Sequence, residues 1–220
     1  ARFWLPTARA TCAKSAAGAI VFDPALGMTS VIPDMDPTRP GSVDPVKLVH
    51  TIEKYGVTTL FGSPALVEVL ANYGASTGKR LTTVKRVISA GAPVPPKTVQ
   101  RLRSMLPEDA NIFTPYGATE CLPVCAIEGR DILALAERTN RGEGICVGKP
   151  LPANQVRLVR VTDEVIEAFD SKYEVTAGSI GEIVVLGPTT TEAYFARASA
   201  TALAKIRHDG RIWHRMGDLG

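Results

Sequence analysis

Between residues 57 and 114 short apolar runs alternate with stretches of helical period. Val57-Thr58-Thr59-Leu60-Phe61 is a β-branched run short enough for a buried strand. Gly62-Ser63-Pro64 turns the chain, and Ala65 to Tyr73 predicts a helix closed by Gly74, with a loop through Ser76, Thr77 and Gly78. Val84 to Ser89 is the next strand, broken by Ala90-Gly91-Ala92-Pro93. Pro95-Pro96 opens a helix with Val99, Leu102 and Leu106 on one face, and Asn111 to Thr114 is a further strand. Upstream, Phe22 to Pro33 predicts a short helix leading into a strand at 29–32, then a Pro- and Gly-bearing loop from Asp34 to Ser42. Asp44-Pro45 starts a helix, the Asp as cap and the Pro at the first helical position. Val46, Val49 and Ile52 recur at helical spacing, and Gly56 stops it.

Strand, helix, strand, helix, strand with such connections predicts right-handed crossovers and a parallel sheet. Its strand carboxyl ends share one edge, where ligands bind. Gly62-Ser63, Ala90 to Pro93 and Tyr116 to Glu120 are therefore expected to converge there. After Asp131 a helix over about 132–139 gives way to Gly142-Glu143-Gly144. From there short β-branched runs dominate: Gln155 to Val161, Glu164 to Phe169 and Gly181 to Leu186. Ala193 to Lys205 predicts a helix and Arg211 to Arg215 a last strand. The fold class is α/β: a parallel-sheet α/β subdomain over 1–145 that carries the nucleotide loops, then a smaller β-rich subdomain over 146–220.

Composition narrows the class rather than the fold. Hydrophobic content of 45% and charged content of 21% over 220 residues describe an ordinary soluble globular protein. A net charge of +3, with no basic run interleaved with aromatics, gives no basis for nucleic acid as a partner. No apolar run is long enough for a transmembrane segment. Cys12, Cys121, Cys125 and Cys146 complete no zinc set, so thiols in a reducing cytoplasm are expected. Residues 1–20 carry Arg2, Arg9 and Lys14 without an acid, a composition like a transit peptide that begins at Ala1 rather than Met. They read as the remnant of a larger region, and the ending at Gly220 as a second cut.

Chemistry concentrates in Thr114-Pro115-Tyr116-Gly117-Ala118-Thr119-Glu120, read as a strand end and its loop. A flat ring at Tyr116 can stack on a base, and Gly117 lets a backbone approach closely. The Thr119 hydroxyl can bond a phosphate, and Glu120 can hold Mg²⁺, which takes few carboxylates plus phosphate oxygens. Alone, these seven residues favour an ordinary loop with a packed Tyr and a solvated Glu. Cys121, Leu122 and Val124 follow directly and either line an acyl pocket or simply pack. Ser63 and Ser89 with His50, His208 and His214 form no hydrolase signature, because the Gly-x-Ser-x-Gly elbow is missing.

Four stretches stand in a family's order: Ala90-Gly91-Ala92-Pro93, Tyr116 to Glu120, Gly181 to Pro188 and Met216-Gly217-Asp218. Together they resemble successive core motifs of the adenylate-forming superfamily of acyl-CoA synthetases, luciferases and peptide-synthetase adenylation domains. Phe22-Asp23-Pro24-Ala25-Leu26-Gly27, Ile32 to Pro37, Thr114 to Pro123 and Gly187 to Thr191 are similar to one branch, the β-lactone synthetases of bacterial long-chain olefin biosynthesis.

The resemblance implies ATP and Mg²⁺ as cofactors and a small-molecule acyl substrate. Gly91, Ala92 and Pro93 would meet the adenine, Tyr116, with Gly117 and Ala118 beside it, would stack on it, and Asp218 would bond the ribose. Thr119 and Glu120 would be the catalytic pair, with Glu120 on the metal. The implied reaction is ATP-dependent activation of a long-chain 2-alkyl-3-hydroxy acid as the acyl-adenylate, then closure to a β-lactone with release of AMP. An acyl-CoA or acyl-AMP ligase and a non-catalytic nucleotide-binding fragment are the alternatives. Other enzymes of a hydrocarbon-biosynthesis assembly are candidate partners. The family's phosphate loop and lid-domain lysine find no match, Lys14 and Lys205 included, so the chain alone is expected to be inactive.

Overall fold

The computed structural model describes residues 11–14 and 22–220. Contacts divide it into two units, one running to Pro115 and including Ile127–Cys146, the other formed by Tyr116–Ala126 and Val147–Gly220. The two cross over at residues 116–126, a piece of chain that the expected boundary near 145 had assigned to the first half.

The first unit is a parallel sheet with helices. Its strands, β1 (Thr11–Lys14), β2 (Thr29–Val31), β3 (Thr59–Gly62), β4 (Arg86–Ser89) and β5 (Asn111–Ala118), lie in the order β2-β1-β3-β4-β5. Neighbours are parallel throughout, with Ala13 opposite Leu60 and Ile88 opposite Phe113. The stretch 1–20, read as the remnant of a larger region, otherwise lies outside the described residues, but its Thr11–Lys14 is an inner strand of this sheet.

Helix boundaries follow local chemistry. A four-residue helix, α1 (Phe22–Ala25), precedes β2. α2 (Pro45–Lys54) begins where the Asp44 carboxylate accepts from the Val46 and Lys47 amides, satisfying donors the helix itself leaves open. Its buried face is Leu48, Val49 and Ile52, while Val46, counted as apolar-facing from its spacing, is 58% exposed. α3 (Pro64–Thr77) is capped by the Ser63 hydroxyl and ends at Gly78, one turn beyond the expected stop. Gly74 is interior and buried, because a side chain there would collide with the Met105 thioether of α4 (Pro96–Met105). Leu48, Ile52, Leu66, Leu70, Val99 and Leu102 form the centre of this core. Each such fully buried side chain contributes about 1.5–3 kcal/mol by leaving water. The expected helix over 132–139 is two short ones, α5 (Gly129–Ala134) and α6 (Ala136–Asn140), broken at Leu135.

In the second unit, β6 (Cys121–Glu128) pairs antiparallel with β7 (Lys149–Pro150). An antiparallel sheet follows in the order β10-β11-β9-β8: β8 (Gln155–Val159), β9 (Glu182–Leu186), β10 (Lys205–His208) and β11 (Arg211–Leu219). All five residues of β9 are buried. Its side chains alternate between two clusters, Val184 and Leu186 with Ile206 and Trp213, and Ile183 and Val185 with Cys121 and Val124. Glu164 to Phe169 forms no strand and keeps a single bridge, Ala168 to Arg207. The helix expected over 193–205 is shorter, α7 (Ala198–Ala204), and its last residue Lys205 starts β10 instead.

Candidate functional site

The Tyr116–Glu120 motif is not the loop that the sequence suggested. β5 runs through Ala118, Thr119-Glu120 makes the turn, and β6 begins at Cys121. Gly117 serves a close approach, but the backbone that comes near is its own hairpin's. A Cβ there would lie 2.7 Å from the Cys121 carbonyl oxygen and 2.8 Å from a Leu122 methyl. Thr119 is exposed at the tip and Glu120 is half-buried.

Within the second unit the structure brings Tyr116 and Asp218 into contact across 102 residues of sequence. The phenol donates to Asp218 Oδ2 at 2.7 Å. Burial, and then the bond to the carboxylate, push the Tyr116 pKa well above its ordinary value, so the hydroxyl remains a donor. The Tyr116 ring packs against the cluster of Cys121, Val124, Ile183 and Val185. Asp218 is delivered by an irregularity in β11. The pairing with β9 shifts register between Arg215 and Leu219, and Gly217 in that interval has φ +72°, a conformation L side chains rarely adopt.

Glu120 is tied through its backbone, its carbonyl accepting the Thr191 N–H at 2.8 Å. The proximity of its own backbone N–H, then of the Tyr194 hydroxyl and of His214 and Lys205, sets its pKa below the ordinary carboxylate value. Lys205 is 6% exposed and donates to Thr191 Oγ1 at 2.9 Å, and its ammonium lies 5.7 Å from the centre of the Tyr194 ring. His214 is buried, with Nδ1 3.2 Å from the Ala204 carbonyl, and burial lowers its pKa. The sequence set Lys205 aside as a lid lysine and His214 as a hydrolase histidine and did not single out Tyr194, since the place of these residues near Glu120 is purely tertiary.

Of the three residues considered for an acyl pocket, Cys121 and Val124 have no exposed surface and lie in the core cluster. The Cys121 thiol lies 3.3 Å from the Thr190 hydroxyl. Leu122 alternates to the other face and is 49% exposed. In the first unit Gly91, Ala92 and Pro93 form an exposed bend at the carboxyl end of β4, where Ser89 stands opposite Gly62 at the end of β3. Ser63 is a helix cap and Ser89 is buried, which leaves neither as a nucleophile.

Among the described residues no group of three or more His, Cys, Asp and Glu is arranged to hold a metal by itself. Mg²⁺ needs no such cage. It is held by one or two carboxylates together with substrate phosphates and water, and an anionic Glu120 at the hairpin turn is a donor of that kind. The donor set fits a Mg²⁺ ion that arrives with a nucleotide. Among the described residues no helix is long and apolar enough to cross a membrane.

A family model described as "AMP-binding enzyme" matches residues 19–195. The chain is 53% identical over 205 residues to the olefin beta-lactone synthetase of Stenotrophomonas maltophilia, an alignment covering 91% of this chain and 36% of that protein. It is 31% identical over 179 residues to the long-chain-fatty-acid–CoA ligase of Thermus thermophilus, covering 80% of this chain and 31% of the relative. The chain thus spans about a third of the length of these curated relatives. In fold it resembles the amide bond synthetase from Marinactinospora thermotolerans, with a TM-score of 0.73 at 24% identity over 99% of this chain and 39% of that one.

Proposed function

The chain belongs to the AMP-binding enzyme family, and on that premise we propose that it serves the ATP-dependent activation of a long-chain 2-alkyl-3-hydroxy acid and its closure to a β-lactone. The acid's carboxylate attacks the α-phosphorus of ATP, and the bond to pyrophosphate breaks. The substrate's own 3-hydroxyl oxygen then attacks the activated carbonyl carbon, its proton is released, and AMP leaves as the four-membered ring closes. That second step is intramolecular, which removes the entropic cost of bringing in a separate nucleophile.

The observation that carries this reading is the Tyr116–Asp218 bond. A base stacked on the Tyr116 ring has its sugar at the ring's edge, where the Asp218 carboxylate has lone pairs left to accept from ribose hydroxyls. Glu120, in the same unit, is the proposed metal ligand, and Thr119 at the exposed tip bonds a phosphate oxygen. Gly91, Ala92 and Pro93 are assigned to the adenine by their match to the family motif. When bound, Mg²⁺ supplies neutralisation of the phosphate charge that grows as pyrophosphate departs. Leu122 is retained as an acyl contact. We place the activity in the reducing cytoplasm, in keeping with the thiols at Cys121 and Cys146.

The choice of lactone over thioester rests on the 53% identity to an olefin beta-lactone synthetase, against 31% to a fatty-acid–CoA ligase. It is tested by incubating the full-length protein with ATP, Mg²⁺ and a 2-alkyl-3-hydroxy acid and analysing products by mass spectrometry. A β-lactone with stoichiometric AMP and pyrophosphate is expected. A hydroxyacyl thioester formed only when coenzyme A is added would replace this reading with the ligase.

A further inference from the structure

Gly187-Pro188-Thr189-Thr190-Thr191 is one of the stretches similar to the β-lactone branch, yet no group in it enters the proposed chemistry. The segment follows β9, whose five residues are all buried, so it hangs from a fixed strand. Its residues meet the neighbouring hairpin one after another. The Thr191 N–H donates to the Glu120 carbonyl at 2.8 Å. The Thr190 hydroxyl accepts the Gly187 N–H at 3.2 Å and lies 3.3 Å from the Cys121 sulfur. The Thr189 hydroxyl stands 3.7 Å from the same sulfur. At Gly187 a side chain would collide with Asn154, whose amide donates to the Pro123 and Val124 carbonyls at 2.8 and 3.0 Å.

One segment and its neighbour Asn154 thus grip residues 120, 121, 123 and 124, which are the second residue of the turn and the first half of β6. The segment is tied on its other side too, where the buried Lys205 ammonium of β10 donates to Thr191 Oγ1 at 2.9 Å. Apolar side chains would cover Cys121 equally well. Hydrogen bonds add direction, and the backbone bond ends on Glu120 itself.

A hairpin tip is ordinarily among the more mobile parts of a sheet. Groups carried on such a tip must be ordered when a ligand binds, and that cost is subtracted from affinity. We propose that Gly187 to Thr191 is a clasp that orders the Thr119–Glu120 turn before nucleotide arrives, with Thr190 and Thr191 as positioning residues that act through the turn. The proposal rests on the reading of Thr119 and Glu120 as phosphate and metal contacts. Ordering the backbone of one residue corresponds to about tenfold in a binding constant, which sets the size of the expected effects.

The test measures binding of α,β-methylene-ATP with Mg²⁺ to the full-length protein by isothermal titration calorimetry, beside each variant's melting temperature without nucleotide. Thr190→Val keeps the shape and removes the hydroxyl, and Thr191→Pro removes the N–H that reaches Glu120. Each should weaken binding by about tenfold. Thr190→Ser keeps the hydroxyl and should stay within about twofold of wild type. Ile206→Val, in a different core cluster of the same unit, should lower the melting temperature and leave affinity unchanged. Wild-type affinity in either folded clasp variant overturns the proposal. An equal loss of affinity in Ile206→Val also overturns it, because the effect would then be one of general stability. If Thr191→Pro does not fold, the Thr190→Val and Thr190→Ser pair decides alone. Thr119→Val and Glu120→Gln test the reading beneath. Wild-type affinity in both refutes the assignment of the turn to nucleotide and metal, whereas loss in these two with none in the clasp variants removes only the clasp.

Discussion

At the scale of single residues, the proposed chemistry depends on carboxylates that are placed differently. Asp218 is exposed and meets a phenol, whereas Glu120 is half-buried and bonded through its carbonyl to Thr191. Glu120→Gln keeps the shape and removes the charge. It is expected to raise the Mg²⁺ concentration needed for half-maximal ATP-dependent turnover by tenfold or more, while KM for the acyl substrate changes little. Wild-type rates at low Mg²⁺ would count against the assignment. Tyr116, Glu120 and Asp218 were legible in the sequence because each sits in a contiguous motif with recognisable neighbours. The link from Lys205 through Thr191 to the Glu120 backbone was not, because nothing near these residues in sequence announces it.

At the scale of elements, legibility followed local determinants. α2 and α3 begin where a capping side chain and a proline announce a start, and β3, β4 and β9 are short β-branched runs. The hairpin was misjudged because Pro115 and Pro123, inside β5 and β6, argue locally against strands. β10 was missed, its first residue Lys205 taken as a helix end and the rest left unassigned, because its only buried residues are Lys205 and Ile206, too few to show a period. Arg215 of β11 donates through Nε and a terminal nitrogen to Glu182 Oε2 of β9, at 2.9 and 2.6 Å, with both side chains 9% exposed. Its guanidinium also bonds the carbonyls of Thr162, Glu164 and Leu203, tying the segment before β9 and the end of α7 to the sheet. Arg215→Met leaves Glu182 buried and unpaired, and should cost about 3–5 kcal/mol in chemical denaturation. Adding Glu182→Met should restore part of that stability. A loss below about 1 kcal/mol for the single variant would show that water reaches the carboxylate.

At the scale of the whole molecule, the chain supplies two units of an adenylate-forming enzyme and spans about a third of its curated relatives' length. The claim that most needs testing is that the second nucleophile belongs to the substrate. The most direct measurement is free AMP released by the full-length protein from a 2-alkyl-3-hydroxy acid and from its 3-deoxy analogue, each with and without coenzyme A. A substrate hydroxyl held beside the activated carbonyl avoids the entropic cost of bringing in a separate thiol. A substrate nucleophile predicts AMP from the 3-hydroxy acid without coenzyme A, and a deoxy analogue that stalls as acyl-adenylate with its AMP still bound covalently. Release from both acids that depends strictly on coenzyme A, with a thioester as the product, would contradict it.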